Sequence, residues 1–133
     1  MTESVQSSPQ WQSFVGEVRR ASGVESTAEA ETLVRATLRT LGESITAGEL
    51  DELVEPLPKE ARDAVHDRSG QARQVDKNGF LDRVSADIYT TDLDTTEQQV
   101  RAVLSTVRSW TEPGEVDDTV AQLPSSIAAL FRG

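Results

Sequence analysis

Apolar residues recur at helical spacing along almost the whole chain. Ser8 offers an N-cap and Pro9 a first helical residue. Trp11, Phe14, Val15 and Val18 follow at i, i+3, i+4 and i+7, one face of an amphipathic helix that Ser22-Gly23 stops. Ser26 with Glu29 makes a capping box. It opens a second helix with Ala30, Leu33, Val34, Leu38 and Leu41 on one face, and Gly42 is expected to end it. Thr46 with Glu49 forms another box before a third helix striped by Leu50, Leu53, Val54 and Leu57. Pro56 and Pro58 break that helix, and Pro58 can start a short fourth through Ala61, Ala64 and Val65. Residues 1–7 read as a disordered tail, and 67–78 as a polar connector.

The remaining stretch predicts the same plan. Asn78 is expected to cap a helix that turns Phe80, Leu81, Val84 and Ile88 inward. Asp94 with Glu97 is expected to open the next, which carries Val100, Val103, Leu104, Val107 and Trp110. Glu112 and Pro113 suit the start of a helix with Val116, Val120 and Leu123 on its stripe. Pro124 then begins a last helix with Ile127, Leu130 and Phe131 inward. Ile88-Tyr89-Thr90-Thr91 has strand-like composition. The helical plan of the first half outweighs that local preference.

The two stretches are copies. At an offset of 66 residues, without a gap, Phe14 and Val18 fall on Phe80 and Val84. Val34-Arg35-Ala36 falls on Val100-Arg101-Ala102, and Gly48-Glu49 on Gly114-Glu115. The expectation is therefore all-α: two tandem repeats of about four short helices, residues 8–66 and 79–133. Each is small for an independent core, so they should pack as one helical-bundle domain with pseudo-two-fold symmetry.

Charge adds an environment to this picture. The 133 residues include 23 acidic and 13 basic side chains, for a formal net charge of −10, and only two lysines, Lys59 and Lys77. Many carboxylates with few lysines suit a cytosol at very high salt, where self-repulsion is screened. An arginine-rich bacterial composition accounts for them equally. Residues 1–66 carry six basic and twelve acidic side chains, and residues 67–133 seven and eleven. With neither half basic, nucleic acid and anionic membranes are disfavoured as direct partners. There is no cysteine, so no disulfide and no thiolate chemistry is expected. The first ten residues lack the apolar core of a signal peptide, and no apolar run approaches the roughly 18 residues of a membrane span. A soluble, cytoplasmic protein is expected.

The order of motifs resembles the DUF2267 family of prokaryotic proteins of unknown function. The motifs are Phe80 to Val84, Val100-Arg101-Ala102-Val103-Leu104, Gly114-Glu115-Val116-Asp117-Asp118 and Gln122-Leu123-Pro124. The first half carries them more loosely, with Pro56 in place of Gln122 and Glu52 in place of Asp118. The resemblance implies an all-α domain of two similar halves and brings no catalytic residues.

Charged residues kept in both halves are the first candidates for chemistry. Arg35 and Arg101 lie inside apolar helices. Glu31 and Glu97 stand one turn before them, and Glu49 with Asp51 and Glu115 with Asp117 open the following helices. The guanidinium groups could clamp an anion. The favoured reading is structural ion pairs tying each second helix to the start of the third, because charged groups in an apolar stripe persist by pairing. Asp92-Leu93-Asp94 lacks the Gly and Glu that a calcium loop needs, and capping explains it. His66 is the only histidine, which makes zinc improbable. No metal or cofactor is expected, and no catalytic residue can be assigned.

Residues that differ between the halves are the better contact candidates. Trp11 falls on Lys77, Tyr89 on Gly23 and Trp110 on Ser44. Large aromatics favour both cores and interfaces; Trp110 has core spacing. The leading functional expectation is a non-catalytic interaction or structural module acting through a helical surface on a protein partner or on itself. A helix-turn-helix-like regulator would need Arg19, Arg20, Arg35 and Arg39 to cluster on one face. A carboxylate-based enzyme would need acids gathered in a closed pocket.

Overall fold

The computed structural model describes residues 8–44, 47–66, 76–123 and 125–131. Among them are eight helices and no strand. These are α1 (Pro9–Ser22), α2 (Thr27–Ser44), α3 (Ala47–Val54), α4 (Lys59–His66), α5 (Lys77–Asp87), α6 (Leu93–Trp110), α7 (Pro113–Gln122) and α8 (Ser125–Phe131). The tail 1–7, the Thr46 cap, most of the connector, Pro124 and the side chains of Glu49, Leu50 and His66 lie outside the described residues.

Helix boundaries follow local hydrogen bonding. The Ser8 hydroxyl accepts the Trp11 N–H at 3.1 Å, and Pro9 occupies a position where no amide donor is needed. Gly23 ends α1 at φ 79°, its N–H reaching the Arg19 carbonyl. At α2 the Ser26 hydroxyl accepts the Glu29 N–H at 3.1 Å and donates to the Glu29 carboxylate at 3.2 Å. One hydroxyl thus satisfies a first-turn amide and fixes the Glu29 side chain.

Four expectations are corrected. Gly42 does not stop α2, which continues to Ser44 with Gly42 buried inside it. Neighbouring turns supply the packing that outweighs the modest helix penalty of one glycine. Asp76, not Asn78, caps α5, its carboxylate accepting the Gly79 N–H at 2.8 Å. Asp92, not Asp94, caps α6, accepting from the Asp94 and Thr95 amides and the Thr95 hydroxyl. Those three donors, the Thr95 hydroxyl foremost, hold the Asp92 carboxyl below its ordinary range. The fourth concerns Ile88 to Thr91, which is neither helix nor strand. Helix α5 stops at Asp87 and the chain turns through Ile88 and Tyr89.

The long helices α2 and α6 touch each other at the centre. Helix α2 also packs on α1, α4 and α5, and α6 on α1, α5 and α8; α3 lies against α4 and α7. One contiguous core results, running from Trp11, Phe14 and Leu38 through Val103 and Leu104 to Ile127 and Phe131. Most of the predicted stripe residues are buried, while Ile88, Trp110 and Val120 are only partly covered and pack at the edge of the core. Residues from both ends of the sequence, Trp11 and Phe131 among them, share this core.

Candidate functional site

The two arginines that match at the 66-residue offset meet different surroundings. Arg101 donates to Glu97 through Nε at 3.1 Å and Nη2 at 2.9 Å, and its Nη1 reaches the Ala129 carbonyl of α8 at 2.9 Å. Lys77 adds a second cation to Glu97 at 2.9 Å. The Lys77 bond and then the Arg101 bonds hold the Glu97 carboxyl below its ordinary range, against the opposing effect of burial. In the first half the guanidinium of Arg35 lies 5.1 Å from the centre of the Trp11 ring. Glu31 is taken by the Trp11 indole N–H at 2.8 Å. Residues 11 and 77 thus make the same link, from one helix to a glutamate on the next, by different chemistry.

The expected tie of Arg35 to Glu49 lies outside the described residues. Arg101 reaches α8, and Arg108 joins it there, donating to the Phe131 carbonyl at 2.7 Å. Two cations thus satisfy the last carbonyls of a short helix. Asp51 and Asp117 are exposed and Glu115 is half-buried. Among the described residues, no three His, Asp or Glu side chains gather as a metal site. Arg39 pairs with Asp87, Arg19 donates to the Glu25 carbonyl, and Arg35 stacks on Trp11, so these arginines are engaged separately.

The three aromatic candidates divide sharply. Trp11 is wholly buried, stacked 6.3 Å from Phe14, and has no surface to offer a partner. Trp110 is partly buried, edge-on to Phe14 at 5.4 Å, and donates across the halves to Glu17 at 3.1 Å. Tyr89 is 93% exposed, alone among the large hydrophobic side chains described.

Tyr89 also has an unusual backbone. Its φ is 60°, and no other non-glycine residue described has a positive φ. Its N–H bonds the Ala86 carbonyl and the Thr90 N–H the Ser85 carbonyl, the pair of bonds that closes a helix through a left-handed residue. Glycine usually fills that place, and does so at the matching position, Gly23. No atom would obstruct a Cβ on Gly23, so backbone angle, not space, makes a side chain costly there.

The ring stands at the lip of a groove of about 470 Å³ between the α1–α2 turn and the α5–α6 turn. Val24, Leu33 and Ile88 give it an apolar floor, beside Ala28. Thr32, Thr90, Thr95 and Gln99 form its walls, and Glu29 is its single charged lining residue. Most wall hydroxyls are already engaged: Thr32 donates to the Ala28 carbonyl, Thr95 to Asp92, and Thr90 accepts from the Asp92 N–H. The Gln99 amide, the Tyr89 hydroxyl and one Glu29 oxygen take no hydrogen bond among the described residues. Sequence comparison of the halves flagged Tyr89. It gave no signal for the groove, which two turns far apart in the chain assemble.

Comparison with known families gives one match. The family described as "Uncharacterized conserved protein (DUF2267)" covers residues 11–130, nearly the whole chain. A search of curated proteins finds no match. No helix described is long and apolar enough to cross a membrane.

Proposed function

The chain belongs to the DUF2267 family, and from that premise we propose that it is a non-catalytic interaction module of the cytoplasm that binds a partner protein through the Tyr89 groove. The observation that carries this reading is Tyr89 itself. A large aromatic ring is held in solvent on a left-handed backbone that costs on the order of 1–2 kcal/mol. It stands beside an apolar cleft of the size that binding sites have. Strain and exposure of this kind are tolerated where the exposed group has a use.

The scaffold reading goes with it. Twin halves related by a pseudo-two-fold axis are supported by the packing: α1 against α6 answers α2 against α5, and α1 against α2 answers α5 against α6. On that reading the groove straddles the axis, since Val24, Glu29 and Leu33 face their counterparts Thr90, Thr95 and Gln99.

A photo-cross-linking amino acid in place of Tyr89, expressed in the native host, tests the proposal. The expected outcome is a specific adduct absent when the same group replaces Arg62. The purified partner should bind the wild-type chain and lose at least about tenfold in affinity for Tyr89→Ala, since aromatic anchors carry that much or more. A partner that binds Tyr89→Ala as tightly would reject the groove as the binding surface.

A further inference from the structure

We infer that the groove is built for a basic amphipathic segment of the partner, one Arg or Lys side chain of which lies along it. This rests on the groove reading above and adds the chemistry of the occupant.

Charge complementarity argues for it. The chain carries a net charge of −10, which favours encounter with a cationic partner and opposes pairing of two copies. The one charged lining residue, Glu29, is a carboxylate with an oxygen to spare. Further exposed acids adjoin lining residues in sequence: Glu25 follows Val24 on the α1–α2 side, and Asp94 precedes Thr95 on the other. Arg19 is the nearby cation, and its guanidinium is held on the Glu25 carbonyl at 2.9 Å.

The lining suits an Arg or Lys along its whole length. Val24, Leu33 and Ile88 would take the aliphatic stem, and Glu29 the cationic head. The exposed face of Tyr89 supplies a cation–π surface, the contact this molecule already makes between Arg35 and Trp11. The Gln99 amide can accept or donate to the backbone of the bound segment.

Capped peptides of repeated Leu-Arg-Arg-Leu and of Leu-Glu-Glu-Leu serve as probes, titrated into the full chain and followed by amide shifts in NMR spectra. The basic peptide should move amides of the two turns. Its affinity should fall about tenfold in Tyr89→Ala and in Glu29→Gln, but not in Arg62→Gln, with circular dichroism showing each variant folded. Equal binding of the acidic peptide, or basic-peptide binding indifferent to both groove variants, would overturn the inference. So would a self-adduct as the main product of the position-89 cross-link. A neutral or acidic partner captured there and dependent on Tyr89 would overturn the basic chemistry alone and leave the groove reading standing.

Discussion

Residues 11 and 77 occupy matching places in the two halves and do the same mechanical job. Each lies in the first turn of its half's first helix and reaches a glutamate on the next, Glu31 or Glu97. The first half does this with a buried indole, the second with a half-exposed ammonium. The consequence spreads to the neighbouring arginine. Where lysine holds the glutamate, Arg101 shares it. Where tryptophan holds it, Arg35 turns onto the ring. Position and partner are thus held in common while the physics differs: burial and dispersion on one side, charge on the other. The join between the halves behaves alike, since Glu17 on α1 meets Trp110 of α6, and Arg83, which matches Glu17, meets Glu43 of α2.

This contrast can be broken by measuring both sides of it. Trp11→Ala should cost about 3–5 kcal/mol in urea unfolding, because it opens a large cavity in the core. Lys77→Ala should cost no more than about 1 kcal/mol, as half-exposed ion pairs do. Similar losses at the two positions would mean that the second half also depends on its link for stability.

Next in size are the left-handed turns. Gly23→Tyr should destabilise by about 1–2 kcal/mol, and Tyr89→Gly should stabilise by a few tenths up to about 1 kcal/mol, less than the strain removed because glycine loosens the unfolded chain. A stabilised Tyr89→Gly variant that no longer binds the partner would sharpen the case that the strain is kept for function.

Thr37 gives a third comparison. Its side chain is wholly buried on α2 and its hydroxyl has no hydrogen-bond partner among the described residues, whereas the matching residue on α6 is the equally buried Val103. The buried Thr40 and Thr106, in contrast, each bond the carbonyl one turn back, at 2.8 and 2.9 Å. Thr37→Val should therefore stabilise the fold by about 1 kcal/mol, since an orphaned hydroxyl is removed at nearly constant shape. A loss in thermal or urea stability would mean that the hydroxyl is satisfied in solution.

The smallest effect is acid sensitivity. The Glu97 carboxyl is held below its ordinary value of 4.5 by Lys77 and Arg101. Its folded pKa is lower than its unfolded one, so the stabilisation is present above about pH 4.5 and is lost as pH falls through the folded value. Glu60 adds in the same direction. Burial opposes its shift, but the Ser8 amide and hydroxyl and its own backbone N–H more than offset that. Stability of the wild-type chain should decline on acidification, and Glu97→Gln should show a shallower decline. An unchanged slope would remove Glu97 from the acid limb.

Much of the fold was legible because apolar periodicity and capping chemistry are local. Trp11 to Val18, Ala30 to Leu41 and Val100 to Val107 read directly as buried stripes, and Ser8, Pro9 and Gly23 as helix ends. Where local signals competed, the nearer choice failed: Asn78 and Asp94 lost to Asp76 and Asp92, whose carboxylates stand in reach of the free amides. Gly42 was read as a stop because its surroundings are invisible to sequence. The candidate site was legible only in Tyr89, through its mismatch with Gly23.

What the chain determined alone was the placement of most helices and its acidity, because spacing and charge are properties of order along one dimension. Which of three aromatics would face solvent, where each arginine would find its partner, and that two distant turns would enclose a groove were decided in three dimensions. Competition among neighbours settles such matters: Trp11 entered the core and claimed Glu31, which left Arg35 the ring, while Tyr89 was placed outside by a turn whose hydrogen bonds close only with its backbone left-handed.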